Sequence, residues 1–335
     1  MGLFNFGNKK GESVIGVDIG ASSIKIVQLS KRKGVAVLET YGELSLSSYA
    51  SSEIGQATNL PASTIAEALR DLLTEANITS KNAGVSIPFS SSLISVVSMP
   101  SLEKNKLATM IPIEARKYIP VPINEVSLDW FIVPSEERAV IDYDEEYEDK
   151  RNEEKSKNGE IIKKEKIDVL LVAIHNNTLN KYNEIVQATD LNVSFFEIEI
   201  FSAIRAVVEQ SLTPVMILDM GSANTKLYIV EYGIVRASHV ISSGGQNFTQ
   251  TLSKSLGVSI TKAEELKRKS GMGGDTLQND DTEAVNSKDV LSLGLNRVFI
   301  EANRVMLQYQ QKHNKNIGKV ILTGGGATMK GMLPL

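Results

Sequence analysis

VDIGASSIK (residues 17–25) returns in the second half of the chain as LDMGSANTK (residues 218–226). The shared skeleton places Asp18, Gly20 and Lys25 in the first copy and Asp219, Gly221 and Lys226 in the second. An apolar strand that ends in Asp-x-Gly and turns back through small residues has the chemistry to hold a phosphate with its metal. Gly20 and Gly221 let the backbone come close and turn its N–H groups toward phosphate oxygens. Ala21, Ser22, Ser23, Ser222, Ala223, Asn224 and Thr225 keep the turns small and add donors. Asp18 and Asp219 would repel a phosphate directly, so they read as holders of magnesium through its waters. Lys25 reads either as a phosphate contact or as a strand-surface residue. One such turn is ordinary in hairpins; two at matched spacing, each opening a half of the chain, point to a shared phosphate function.

The rest of the composition narrows the field. Of 335 residues, 42% are apolar and 23% charged, as in soluble globular chains of one or two domains. No cysteine is present, which removes disulfides and thiolate-bound metals. His175, His239 and His313 are scattered, without the spacing of a zinc protease. There is neither a GxxxxGK[ST] loop nor a strand-linked GxGxxG. No basic patch suggests nucleic acid, and no apolar run reaches the length of a bilayer span, so the expected location is cytoplasmic. Residues 136–166 carry 12 acidic and 8 basic side chains, and the rest of the chain is left with 28 of each sign. So polar a stretch cannot bury enough apolar surface to offset its ordering, and reads as a solvated loop or hairpin tip.

Hydrophobic periodicity orders the elements. A strand–turn–strand–strand meander over residues 13–45 precedes a helix after Pro61, STIAEALRDLLTEAN. AGVSIPFSSSLISVVSMP reads as strand, and EKNKLATMIPIEARKYIP as helix, with Pro112 near its first turns and Pro120 at its stop. VSLDWFIVP and KIDVLLVAI read as one hairpin around the charged stretch, residues 178–189 as helix, and VSFFEIEIFSAIRAVVEQ as strand running into helix. After Pro214 the meander restarts. A helix follows Gly244-Gly245, a second has Thr261 as N-cap and Gly271 as stop, and a long third begins near VLSLGLNR. A final strand ends in Gly324, Gly325 and Gly326, which reads either as bare backbone lying flat against a base or ribose or as a glycine-rich turn before a helix. In TKAEELKRK, Glu264, Glu265 and Lys267 read either as ribose or adenine contacts or as helical charge pairs.

Taken together, VDIGASSIK, LDMGSANTK and LTGGGA resemble, in order and type, the two phosphate loops and the adenosine loop of the actin-like ATPase superfamily. Within it, IEARKYIPVPINEVSLDW resembles the inserted subdomain of the FtsA/PilM branch, and of its type IV pilus assembly PilM family in particular. The resemblance implies an α/β fold of two duplicated halves around a nucleotide cleft. Residues 1–11 form a tail, 12–90 and 173–207 the first subdomain, and 91–172 the insertion. Residues 208–335 form the second half, with a helical part about 243–317 and the adenosine loop at 320–331. It implies ATP and Mg2+ in the cleft, and Glu199, opening EIFSAIRAV, at the position of a water-orienting catalytic acid, with Ile200 where relatives carry proline; the alternative reading of Glu199 is a strand-edge residue. It implies an adaptor that grips the N-terminal peptide of a PilN-like inner-membrane protein near residues 87–97 and 107–119. Membrane contact would then be indirect, with a pilus motor ATPase and further copies of the chain as other partners. Relatives run on beyond GMLPL through a helix and a strand, which implies a truncated C-terminus. The alternative is an FtsA-like filament protein; a small-molecule kinase would need a catalytic Asp for which no position stands out.

Overall fold

The computed structural model describes residues 13–101, 104–133, 154–155, 161–162, 166–209, 211, 213–272 and 282–332. The tail 1–11 and nearly all of the charged stretch lie outside the described residues. Within that stretch, Glu154–Lys155 (β7) pairs antiparallel with Ile161–Ile162 (β8). The chain forms two compact units: Ser91–Leu179, and the remainder on either side of it.

The larger unit is built twice on one plan. In its first half, β1 (Ser13–Ile19), β2 (Ser23–Arg32) and β3 (Val35–Ser45) run as an antiparallel meander, and β4 (Asn82–Ile87) and β10 (Asn192–Ile198) join in parallel on the β1 side. The sheet order is β10-β4-β1-β2-β3. In its second half, β11 (Val215–Met220), β12 (Thr225–Glu231) and β13 (Ile234–Ile241) repeat the meander, and β14 (Lys319–Thr323) lies parallel beside β11. The repetition extends to register, with Asp18 opposite Lys25 and Asp219 opposite Lys226.

Alternation makes these strands. Ile15, Val17 and Ile19 are buried along one face of β1, with Ile24 and Ile26 on β2 and Ala83, Val85 and Ile87 on β4. After the short α1 (Ser47–Ala50), α2 (Ala62–Glu75) starts directly after Pro61 and buries Ile65, Ala68, Leu69 and Leu72, a helical stripe. In the second half, α6 (Gly245–Leu256), α7 (Ile260–Lys269) and α8 (Thr282–His313) share one core with β11 and β12, through Phe248, Leu252, Ala263, Leu291, Leu295 and Val298 against Met216, Leu218 and Leu227. Each fully buried Leu, Ile or Phe contributes about 1.5–3 kcal/mol. Between the halves, α4 (Asn176–Thr189) leads into β10, and α5 (Glu199–Val207) leads out of it.

The smaller unit is a sheet in the order β5-β9-β6, made of β5 (Ser92–Pro100), β6 (Val126–Ile132) and β9 (Lys166–His175), covered on one face by α3 (Lys104–Ala115). β6 and β9 pair antiparallel, as the hairpin reading expects.

Four readings of local structure need correction. Residues 83–100 are two strands in different sheets, because Phe89–Ser91 turns the chain between β4 and β5. Pro112 lies in the last turn of α3, and the helix ends at Ala115, five residues before Pro120. The helical stripe Leu107, Ile111, Ala115, Ile119 is buried, so packing outweighs the hydrogen bond lost at the proline. The N-cap of α7 is Ser259, whose hydroxyl accepts from the Lys262 N–H, and Thr261 is already inside the helix. The third long helix begins at Thr282, ahead of VLSLGLNR.

Candidate functional site

Both Asp-Gly turns close in one way. The Gly20 N–H donates to the Ser23 carbonyl at 3.0 Å, and the Gly221 N–H to the Asn224 carbonyl at 3.0 Å. A Cβ at either glycine would stand 3.0 Å from that same carbonyl, so the small residue is set by the closeness of the turn. Beyond the first turn, the Leu46 N–H donates to Ser22 and the Thr58 N–H to Ala21, both through backbone carbonyls. Beyond the second, the first N–H groups of α6 are used in the same manner, Gly245 to Gly221 and Gln246 to Ser222 at 2.9 Å each. Gly244 is pressed so tightly there that a Cβ would lie 2.6 Å from the Asn224 nitrogen.

The glycine loop after β14 meets the second turn. Gly324 has φ +82°, and a Cβ on it would fall 2.5 Å from Asp219 Oδ1; one on Gly326 would fall 2.8 Å from the Met220 Cβ. Thr323 Oγ1 donates to the same Asp219 oxygen at 3.4 Å. Gly221 through Thr225, Gly244, Gly245, Gly324 and Gly326 therefore form one continuous surface of close backbone around Asp219. Gly325 has open space at its Cβ position.

Charge is distributed unequally between the copies. Asp18 accepts from Ser86 Oγ at 2.6 Å. Lys25, opposite it, turns to Ser23 Oγ at 2.7 Å and to Glu43 at 3.2 Å, and is half-exposed, the strand-surface alternative of its reading. Lys226 turns inward instead, 3.4 Å from Asp219 Oδ2 and 2.6 Å from Glu199 Oε1. Glu199 Oε1 also accepts from the Phe89 N–H at 2.7 Å. Burial pushes the Glu199 carboxyl above the ordinary carboxylate range, against the pull of Lys226 and Phe89. Burial alone would lower Lys226, but Glu199 and Asp219 outweigh it and raise its pKa, so it stays charged.

Two buried phenols complete this centre. Tyr182, in edge contact with Phe196, is pushed up by burial and by Asp18 and Glu199. Tyr228, 1% exposed and edge-on to Phe89 at 5.0 Å, is pushed up by burial and by Glu199 and Asp219. Its hydroxyl has no hydrogen-bond partner among the described residues. Arg205, which follows Glu199 by less than two turns, is paired with Glu197.

Glu264 is 5% exposed. Its Oε2 accepts from Thr249 Oγ1 and Lys267 Nζ, each at 2.6 Å, and its Oε1 accepts from Arg268 Nε at 2.7 Å. Burial would raise this carboxyl, but Lys267, Thr249 and Arg268 together bring it below the ordinary range. Lys267 also donates to the Gly245 carbonyl at 3.1 Å, which ties α7 to the turn before α6. Glu265, expected beside it, is exposed and lies 3.6 Å from Lys262, because successive helix residues point about 100° apart. The structure does not bring Glu265 to the turns.

A segment that the sequence reading missed joins the halves over this cluster. Gly55, φ +83°, passes so close that a Cβ would stand 2.7 Å from the Glu264 carboxyl carbon. Around it, Glu53 accepts from Thr261, Gln250 donates to Gln56 at 3.0 Å, and the Ala57 N–H donates to Gln246 at 3.0 Å. Thr58, next along, holds Ala21 of the first turn. Residues 53–58 thus form a strap from the first turn to α6 and α7. Lys226 was also missed as a site residue, although the repeated skeleton already marked its position.

Among solved structures, a protein of the "PilM-PilN type IV pilus biogenesis complex" matches with TM-score 0.72 at 20% identity, over 95% of this chain and 83% of that one. The ethanolamine utilization protein EutJ from Carboxydothermus hydrogenoformans matches with TM-score 0.53 at 14% identity, over 97% of this chain and 80% of that one. MreB5 of Spiroplasma citri, bound to ADP, matches with TM-score 0.50 at 10% identity, over 97% and 88%. The fold is that of the actin-like ATPases. The family described as type IV pilus assembly protein PilM matches residues 16–144 and 158–335, and the chain belongs to it.

Proposed function

We propose that this protein is an ATP-binding adaptor of the type IV pilus, or related type II secretion, inner-membrane platform, and that it grips the N-terminal peptide of a PilN-like membrane protein. The observation that carries the nucleotide reading is the close backbone surface around Asp219, to which the second turn, the Gly244-Gly245 turn and Gly324 all contribute, with a matching turn at Asp18. Gly20, Ala21, Ser22 and Ser23 face the phosphates in this reading, and the glycine loop at 324–326 faces the nucleoside. The MreB5 relative of this fold is described as bound to ADP, which supports the class of ligand.

Magnesium fits the first turn better than the second. The Asp18 carboxylate takes a hydroxyl and, among the described residues, no ammonium or guanidinium, so it would hold the metal through water. When bound, the metal would neutralise charge on the phosphates. Asp219 has a cation beside it already. Glu199 is the position for activating water, and its bond to Lys226 suits slow turnover.

The adaptor role rests on family membership and on the relative described as a PilM–PilN complex. Among the described residues no helix is long and apolar enough to cross a membrane, so attachment through a partner suits the reading. Contacts with a motor ATPase and with further copies of the chain belong to the same proposal. Calorimetric titration tests it. Asp18→Ala and Asp219→Ala should each weaken ATP binding about tenfold or more, and unchanged affinity in both overturns the nucleotide site. A synthetic peptide of the first residues of the PilN-like partner should give saturable one-to-one heat; none, with or without ATP, overturns the adaptor reading.

A further inference from the structure

Lys25 and Lys226 occupy one register position in two copies of one motif, yet they are used in opposite ways. Lys25 leaves its aspartate for Glu43 on the sheet surface. Lys226 is 12% exposed and spans two carboxylates from different halves of the unit, Glu199 and Asp219. Nothing local compels this choice, since both lysines stand opposite an Asp in an antiparallel pair. The difference is Glu199, delivered by the start of α5 and held by the Phe89 N–H. Two carboxylates brought together in a buried place need either a shared proton or a cation between them, and here the chain places a cation of its own.

We propose that Lys226 is the resident counter-charge of the second turn, standing where a divalent cation would otherwise be needed, so that the magnesium dependence of nucleotide binding resides at Asp18 alone. The inference rests on the nucleotide reading above. A divalent ion placed against Asp219 would meet an ammonium 3.4 Å from that carboxylate, and the two positive charges would repel. The ammonium also needs no assembly from solution. Lys226 is a positioning residue in this account, because it acts by holding Glu199 and Asp219. Tyr228, two residues further on the same face of β12, keeps an unpartnered buried hydroxyl beside this centre.

The test is calorimetric titration of ATP into the full chain, once in saturating Mg2+ and once in EDTA, for wild type, Lys226→Met and Lys226→Arg. The wild type and Lys226→Arg should lose affinity equally on removal of the metal, through Asp18, whereas Lys226→Met should lose at least about tenfold more. Equal metal dependence in wild type and Lys226→Met overturns the proposal. If Lys226→Met does not fold, Asp18→Asn decides: with the metal-dependent site removed and Lys226 kept, it should bind ATP equally in Mg2+ and in EDTA, and a remaining loss in EDTA overturns the proposal. Absence of ATP binding by the wild type in both buffers is a different result: it removes the nucleotide reading, and the proposal with it.

Discussion

Glu199 Oε1 lies 2.6 Å from the ammonium of Lys226, and the two residues come from different halves of the larger unit. Glu199 opens the helix that leaves the first sheet, and Lys226 stands on the second strand of the other sheet. Their bond, in a partly desolvated place, joins the halves, as do the edge contact of Phe89 with Tyr228 and the strap at residues 53–58.

Gly55→Val should open that strap. The positive φ disfavours any side chain, and a Cβ would press on the Glu264 carboxylate. Hydrogen–deuterium exchange over residues 53–60 should rise while the core strands stay protected. If the site holds ATP, its dissociation should quicken as well. Exchange unchanged over the strap would show that its contacts with α6 and α7 do not hold it.

Thr249→Val removes a hydroxyl that donates to Glu264 and accepts from Lys267 at 2.8 Å. The shape is kept, so the effect is electrostatic. Both charged partners stay buried with one bond fewer, and the expected loss is about 1–3 kcal/mol in urea unfolding. A loss below the error of the measurement would mean that water replaces the hydroxyl.

Gly324→Ala should be more damaging than a surface glycine change. Its φ of +82° with ψ 169° lies in a region that costs other residues about 1–3 kcal/mol, and the new Cβ would collide with Asp219 Oδ1. Both the melting temperature and the affinity for ATP should fall. A stable variant with full affinity would detach the glycine loop from the site.

Acid should weaken the first sheet through Glu39. Hydrogen bonds from Ser13 and then Gln28 lower its carboxyl from the usual 4.5 to about 2, with Ser30 and Arg32 helping and burial opposing. Because the folded state holds this proton less tightly than the unfolded chain, the stabilisation is full above about 4.5 and disappears as pH falls toward about 2. Glu39→Gln should flatten that limb of a plot of urea midpoint against pH. An unchanged limb would assign the acid sensitivity to other carboxylates.

The duplication was legible because it is written locally. Strand, Asp-x-Gly turn and returning strand lie within nine residues, and two copies set side by side display the fold of each half. Helices with a clean stripe, such as the one burying Ile65, Leu69 and Leu72, were legible for the same reason. What the sequence concealed depends on residues far apart in the chain. No pattern near Lys226 announces Glu199, which reaches it through a turn of the chain and the first residue of a helix. The strap has no periodicity and buries little, so its meaning comes from Glu264 and Thr261, some two hundred positions away. Pro112 misled because a proline's local preference is weaker than the packing of Ile111 and Ala115. Glu265 misled because adjacency in sequence is not adjacency on a helix.

The matched closure of the two turns gives the molecule an internal control. Gly20 and Gly221 face the same obstacle, a carbonyl 3.0 Å from the place where a Cβ would sit, and neither has the positive φ that would add strain of its own. Gly20→Ala and Gly221→Ala therefore impose one perturbation at two addresses. Any difference in how the two variants respond to a ligand measures the asymmetry of that ligand, since the scaffold contributes equally to both sides of the comparison.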